Sequence, residues 1–539
     1  MENHQIRSII GKTLLWIALS GTVALIIAAF YQASSFYLLI ALPLILITAV
    51  GYDRFQSKHA VLRNYPIVGR LRYFFEAIRP EMRQYFFESE LDGKPFNRRQ
   101  RSIVYQRAKN ERETVAFGMQ VDPYLQGYEW VSHSIYPKKL AKTDLRVKVG
   151  NKDCTQPYDM SILNIGAMSF GALSKTAIMS LSHGAKLNGF AHNTGEGGIS
   201  PHHVKGGGDL IWQIGTGYFG CRDNDGNFDA SLFQKNSRRA YVKMIEIKLS
   251  QGAKPGHGGI LPAAKNTPEI AEIRNVVAGT TVISPPAHST FNDALGLMHF
   301  VEQLRKLSDG KPVGFKLCIG SKNEFTDICK AMIETGIAPD FITIDGAEGG
   351  TGAAPLEYTD YVGMPLMDAL AFVSESLTKF GLRNQIKIMA SGKIITGFDI
   401  MKALALGADA CYSARGMMMA LGCIQALKCD SGKCPVGIAT QDKSLFKGID
   451  VTDKKHRVAN FHKNTIHATV ELMEACGFAT PEHINPESFH RRIDTTKTMN
   501  FKEIYFNSSK EQGLKNNVPA LKNNEQESMS KEQELMFSA

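Results

Sequence analysis

From Tyr158 onward the chain alternates short apolar runs, each ending in glycine or a polar residue, with longer stretches whose apolar positions recur every three or four residues. The first pattern is that of buried strands and the second that of amphipathic helices, so the texture predicts repeated β/α units. Eight strands can be read: SILNIG from 161, FAHNTG from 190, IWQIGTG from 211, MIEIKLS from 244, VGFKLC from 313, FITIDG from 341, IKIMASG from 386 and ACYSARG from 410. Eight such units in about 260 residues have the size of a TIM (β/α)8 barrel. VISPP at 282 is a further apolar run. Its paired prolines argue against a central strand and for an excursion over the barrel mouth. The long gap between the fourth and fifth strands becomes an extended loop, the usual place for a substrate lid.

Both flanks depart from this rhythm. No residue between Lys12 and Asp53 is charged, and the stretch reads TLLWIALSGTVALIIAAF, YQASS, FYLLIALPLILITAVGY. A spanning helix needs about 20 apolar residues, so residues 13–52 are expected to form two transmembrane helices joined by a polar turn. A cleaved signal peptide is the competing reading, but a second apolar segment follows at once with no small-residue cleavage motif between them. Arg7 and Lys12 precede the first segment and Arg54, Lys58 and Arg63 follow the second. The positive-inside rule then puts residues 1–12 and the catalytic domain in the cytoplasm, in a two-span protein of the cell membrane. Residues 53–157, rich in Arg, Tyr and Phe at helical spacing, are expected to be a helical lead-in to a barrel over 158–480. The extension 481–539 ends in Lys, Asn, Glu, Gln and Ser, a composition too polar to bury a core and expected to be disordered.

Charge adds little that is specific. The net charge is +10 over 539 residues. Attraction to anionic headgroups accounts for it, as does docking of an acidic electron carrier. Nucleic acid is disfavoured, because the basic residues are spread out and no binding motif accompanies them.

The cysteines say more. Six of the nine are scattered without paired spacing, as in a reducing compartment. Cys423, Cys429 and Cys434 instead fall within ALGCIQALKCDSGKCPVGIATQ, the last followed by Pro435. Closely spaced thiolates in a run closed by Cys-Pro are how iron-sulfur clusters are held, and three ligands suit a [3Fe-4S] cluster. Three buried core thiols are the alternative, and zinc also accepts thiolates, though this spacing fits no standard zinc pattern.

In a TIM barrel the loops after strands seven and eight hold phosphate. Here they are Ser391-Gly392-Lys393 and Ser413-Ala414-Arg415-Gly416, small residues with two cations. Small residues let backbone N–H groups approach a phosphate, and Lys393 and Arg415 bring charge. The cysteine run starts just beyond, so a phosphate-bearing flavin and a cluster would be neighbours. The first strand leads into GAMSFGALS, where Gly166, Ala167, Met168 and Ser169 let the backbone lie against a flat ring, and the second into NTGEGG with Thr194 and Glu196. Lys248 and Lys316 stand on otherwise apolar strands, and a buried lysine needs an anionic partner. Lys316 is the better candidate for a cation beside a reduced flavin, while Glu246, of the same strand parity, offers Lys248 a structural ion pair. Gly215 to Gly220 spell GxGxxG, but inside the third barrel unit rather than in a βαβ unit of their own, which argues against a dinucleotide site.

GAMSFGALS, NTGEGG, EIKLSQGAKPG, ISPPAH, EGGTGAAP and the cysteine run, in this order from about Tyr158 to Phe478, resemble the FMN-binding synthase domain of glutamate synthase. The resemblance implies a barrel carrying FMN and a [3Fe-4S] cluster, in which 2-oxoglutarate and ammonia give 2-iminoglutarate and then glutamate. It implies Lys316, Glu196 and Lys248 as catalytic residues and adds Gly349, Gly350 and Thr351 to the FMN contacts. It also implies Lys254 and Arg274 as cations that hold the 2-oxo acid, and an electron donor such as ferredoxin or a reductase subunit. Two positions depart from the family: Ile260 replaces a substrate-contacting glutamine and His257 a glutamate. An apolar side chain cannot hydrogen-bond a carboxylate, which bears on substrate choice. The glutaminase domain of the full-length family has no counterpart in this sequence, so ammonia is expected from elsewhere.

Overall fold

A computed structural model describes residues 20–21, 23–24, 26–28, 31, 35–111 and 114–506. They belong to two compact units, Met1–Arg99 and Gln100–Ala539.

In the first unit, helices span Ser35–Phe55, Ala60–Asn64 and Val68–Met82. The expected membrane hairpin is corrected here: among the described residues no helix is long and apolar enough to cross a membrane. The second apolar segment lies in the helix Ser35–Phe55, which contains Pro43 and carries Asp53 and Arg54 in its last turns. Asp53 is fully buried and accepts from the Arg70 guanidinium at 2.7 and 2.9 Å. A run free of charge is necessary for a span but does not set where the helix that contains it starts and ends. The two-span localisation, the cytoplasmic assignment that rested on it and the membrane as a partner fall with the hairpin. Most of the first apolar segment and the tail beyond 506 lie outside the described residues.

In the second unit, eight parallel strands close into a barrel: β1 Leu163–Ile165, β2 Ala191–Asn193, β3 Asp209–Ile214, β4 Val242–Lys248, β5 Val313–Leu317, β6 Phe341–Asp345, β7 Lys387–Ser391 and β8 Ala410–Ser413. All eight coincide with the strands read from sequence. Closure comes from β8 pairing with β1, Ser413 opposite Ile165. The crossovers include helices α1 Lys175–Asn188, α2 Ala230–Ser237, α3 Ala294–Leu307, α4 Lys322–Thr335, α5 Leu366–Lys379 and α6 Gly397–Ala405. Their starts are set locally: Ser174, Asp229, Asp293 and Thr396 each cap a helix by accepting a backbone N–H.

Strand alternation sorts the interior into levels. At the bottom, Ala191, Ile211, Met244, Phe341, Met389 and Ala410 pack against Val149, Tyr158 and Met160. The last three belong to the antiparallel hairpin Arg146–Val149 and Tyr158–Ser161, which plugs that end. Gly314 has no room for a side chain, since a Cβ there would stand 2.2 Å from the Phe341 carbonyl oxygen. Two residues further up, Asn193, Gln213 and Thr343 surround Glu246. Lys248, Lys316 and Asp345 come next, at the C-terminal rim.

The lead-in is helical only as far as Lys109. Glu129–Val131 instead pairs with Phe489–Arg492, which pairs with Thr498–Asn500, in a three-stranded sheet. The segment between β4 and α3 forms the expected excursion: a ribbon of Ile260–Leu261 with Val282–Ile283, a short turn Ala263–Lys265 and a helix Pro268–Arg274. VISPP is thus an edge ribbon outside the barrel.

Candidate active site

Lys316, the last but one residue of β5, is 7% exposed, with its ammonium 3.1 Å from Asp345 on the adjacent strand. Burial opposes its charge, but Asp345 and then Glu246 outweigh it, and the ammonium pKa is raised. The other Asp345 contact is structural: its Oδ2 accepts from the Gly252 N–H at 2.8 Å.

Lys248 ends β4, and its ammonium donates to Glu196 Oε2 at 2.9 Å. The Glu246 pairing suggested by strand parity does not form. Both residues face inward, but Glu246 accepts from Asn193 at 2.8 Å, Gln213 at 2.6 Å and Thr343 at 2.6 Å, and is satisfied without Lys248. Burial opposes ionisation of Glu196, while Lys248, Arg274 and Lys254 overcome it and hold the carboxyl below its usual range.

Arg274 reaches this cluster from the end of its lid helix. It is buried, it donates to the Phe170 carbonyl at 3.2 Å, and its guanidinium lies 5.0 Å from the Phe219 ring centroid. Its Nε has no hydrogen-bond partner. Burial pulls its pKa down to about 10, with Glu196 opposing. Lys254 is buried as well, its pKa lowered by burial and then by Lys248. Glycines make room for these groups: a Cβ on Gly197 would meet the Arg274 guanidinium at 2.8 Å, and one on Gly259 would meet Glu196 Oε1 at 2.4 Å.

The predicted flavin loops come together at the same rim. Gly166 donates to the Ser413 carbonyl at 3.1 Å, and a Cβ on it would meet Ala414 at 3.1 Å. Ala167 follows in the same turn, with Met168 and Ser169 packed on Gly195 beside Thr194. Gly346 donates to the Ser391 carbonyl at 2.8 Å. Gly392 and Lys393 both take positive φ, 154° and 52°. Arg415 donates to the Glu348 carbonyl at 2.7 Å and crosses Gly350, where a Cβ would lie 2.7 Å from it. Gly349 abuts Gly252, and Thr351 is held through the Ala353 carbonyl at 3.4 Å. Gly416 sits in the helix Arg415–Leu421, which Gly422 ends in a left-handed turn immediately before Cys423.

The three cysteines are free thiols. Burial, then the backbone at Gln425 acting oppositely and the neighbouring Cys429 and Cys434, set the Cys423 thiol at about 11. Burial and then Cys434 raise Cys429. Each pair of the triplet is thus within electrostatic reach. Among the described residues no three His, Cys, Asp or Glu side chains are grouped so as to hold a metal ion.

A profile described as the conserved region in glutamate synthase matches residues 105–479. The chain belongs to the glutamate synthase family. It is 37% identical over 509 residues to the glutamate synthase large subunit-like protein YerD of Bacillus subtilis, covering 86% of this chain and 96% of that one. It is 37% identical over 360 residues to the archaeal glutamate synthase (NADPH) of Methanocaldococcus jannaschii, 66% of each chain. The glutamate synthase (NADPH) large chain of Bacillus subtilis matches at 33% over 327 residues, 58% of this chain and 20% of that one. The chain therefore spans slightly less than two thirds of the archaeal relative and a fifth of the large chain. This glutamate synthase family member is an oxidoreductase of the class acting on CH–NH2 donors.

Two predicted residues stand apart from the charge cluster. Ile260 lies on the lid ribbon, 43% exposed, opposite Ile283. His257 Nδ1 contacts the Gly258 carbonyl oxygen at 2.9 Å, and its ring meets Tyr358 edge-on. The sequence reading missed Asp345 and His288. The signal for Asp345 was an acid closing the apolar strand FITID. His288 Nε2 donates to the Lys248 carbonyl at 2.9 Å while its Nδ1 accepts from the Tyr218 hydroxyl at 3.1 Å. Burial brings its pKa down to about 4, so the ring is neutral and pins the lid's end to β4.

Proposed function

We propose that this family member reductively aminates a 2-oxo dicarboxylic acid, with FMN at the barrel rim, a [3Fe-4S] cluster on Cys423, Cys429 and Cys434, and electrons from ferredoxin or a reductase subunit. The observation that carries the substrate is the charge count around Glu196. Three buried cations, Lys248, Lys254 and Arg274, act on one carboxylate, while Lys316 has its own partner in Asp345, so positive charge is in excess around Glu196. A 2-oxo dicarboxylate such as 2-oxoglutarate brings two negative charges, and the orphaned Nε of Arg274 supplies a donor for it.

The residues fit the two cofactors. Glycine and alanine at Gly166, Ala167, Gly349, Gly350, Gly392 and Ala414 leave room for a flat ring and a phosphate to lie against the backbone, with Met168, Ser169, Thr194, Thr351, Ser391, Lys393, Arg415 and Gly416 alongside. Three free cysteines on one loop, each within electrostatic reach of the others, are the donor set of an iron-sulfur centre. When bound, the flavin would supply hydride to an imine carbon and the cluster would pass single electrons.

The chain's own part is positioning and proton handling. Lys254 and Arg274 would hold the carboxylates and fix the carbonyl carbon. Glu196, ionised because of its cations, would take a proton from ammonium at a carboxylate oxygen as the nitrogen adds to the carbonyl carbon, and would return it to the former carbonyl oxygen, which leaves as water and gives protonated 2-iminoglutarate. Lys316 would offset negative charge at the rim, with Asp345 keeping it protonated. The lid with Ile260 would exclude water.

The test is anaerobic reduction of the purified protein, followed by reoxidation with 2-oxoglutarate plus ammonium against other 2-oxo acids. Reoxidation with formation of glutamate is expected. Protein lacking flavin absorbance and iron, or reduced flavin indifferent to every imine, would sink the proposal.

A further inference from the structure

Lys265 has no part in the chemistry above. It ends the short turn Ala263–Lys265 at the foot of the lid ribbon and is buried, 7% exposed. Its ammonium donates to the Cys429 carbonyl oxygen at 2.6 Å. Its stem lies along the cysteine loop, where a Cβ on Gly432 would meet Cε at 3.3 Å. Among the described residues no carboxylate pairs with it, and the acidic groups acting on it are Cys429, Asp430 and Cys434. The next residue, Asn266, donates to the Val277 and Thr280 carbonyls at 2.8 and 3.0 Å, so the turn is fixed to the rest of the lid.

A buried ammonium whose hydrogen bond is to one carbonyl is costly unless anions complete its surroundings, and beside the cysteines only the Asp430 carboxylate acts on it. Thiolates at Cys429 and Cys434 are such an anion, and a fixed positive charge beside an iron-sulfur centre favours its more negative, reduced form. We infer that Lys265 is the counter-charge of the iron-sulfur site, a positioning residue that fastens the substrate lid to the cysteine loop and raises the reduction potential of the cluster. The inference rests on the cluster assignment proposed above.

The test compares the full chain with Lys265→Met and Lys265→Arg, measuring iron and acid-labile sulfide and titrating the cluster potential by electron paramagnetic resonance. Lys265→Met is expected either to keep its iron with a potential shifted negative, or to lose iron that Lys265→Arg retains. A fully loaded Met variant with an unchanged or raised potential overturns the inference alone. So does an Arg variant that follows the Met variant, in potential or in iron loss, since a packing role would then suffice. A parent protein without iron overturns the cluster assignment and this inference together.

Discussion

The Lys248 ammonium lies 2.9 Å from the Glu196 carboxylate, joining the end of the fourth barrel strand to the loop after the second. Breaking a buried pair by removing one partner costs about 3 kcal/mol, because the other charge is stranded. The folded pKa of Glu196 lies below the ordinary 4.5. The pair's contribution is therefore complete above that pH and is lost as pH falls through the folded value. Removing Lys248 would leave Arg274 and Lys254 acting on Glu196, so the test is Glu196→Gln, which leaves the cations without their carboxylate. Urea melts of parent and variant should differ by about 3 kcal/mol at pH 7 and by less at pH 3. A gap independent of pH would contradict the pairing.

Arg274 should matter to substrate binding more than to folding, since its Nε lacks a partner within the protein. A hydrogen bond to a charged group is worth about 1.5–3 kcal/mol, so Arg274→Gln should raise KM for a 2-oxo dicarboxylate roughly ten- to a hundredfold. Steady-state kinetics check this, and a defect confined to kcat would argue against a binding role.

Lys316 and Asp345 should fail asymmetrically. Lys316→Met strands a buried carboxylate and should cost about 3–5 kcal/mol, whereas the double variant Lys316→Met with Asp345→Leu should recover much of it. Chemical denaturation reads stability, and flavin absorbance per chain shows whether the ammonium is needed for retention. Recovery of both stability and flavin in the double variant would remove Lys316 from the cofactor site.

Acid should unfold this protein through its histidines as well as its carboxylates. Burial lowers His192 and His462 to about 3 and His288 to about 4, and lowers His203 strongly. The unfolded chain takes up protons near 6.5 while the native one refuses them, so stability should fall as pH drops from about 6.5 toward 4. His462→Phe, which keeps the stack on Phe190 at 3.9 Å, should flatten that fall in urea midpoints. An unaltered slope would show that His462 titrates normally.

The lid position Ile260 gives a test of substrate choice. If the apolar side chain sets it, Ile260→Gln should raise kcat/KM for 2-oxoglutarate several-fold over monocarboxylic 2-oxo acids, on the scale of about 1 kcal/mol for one hydrogen bond. No change would assign Ile260 to the outer face of the ribbon, where it is 43% exposed.

The barrel and its order of strands were legible in the sequence because alternation and helical spacing are local properties, complete within each ten-residue stretch. The cysteine triplet was legible for the same reason. The partners of the site residues were not. Strand parity placed Lys248 and Glu246 on one face, yet Lys248 pairs with Glu196, 52 positions earlier, and Lys316 with Asp345, 29 positions later, because barrel closure sets which rim residues meet. His288 was invisible, since its role consists of two bonds made after the lid folds back. The membrane hairpin failed on the same ground: lack of charge is a property of the string, whereas the helix that forms runs on into Asp53, buried against Arg70, and among the described residues none is long and apolar enough to cross a membrane. Sequence by itself determined the elements, the chemistry available and the family likeness. Only the tertiary structure decided which charges face one another, because that depends on distances across the barrel and not along the chain.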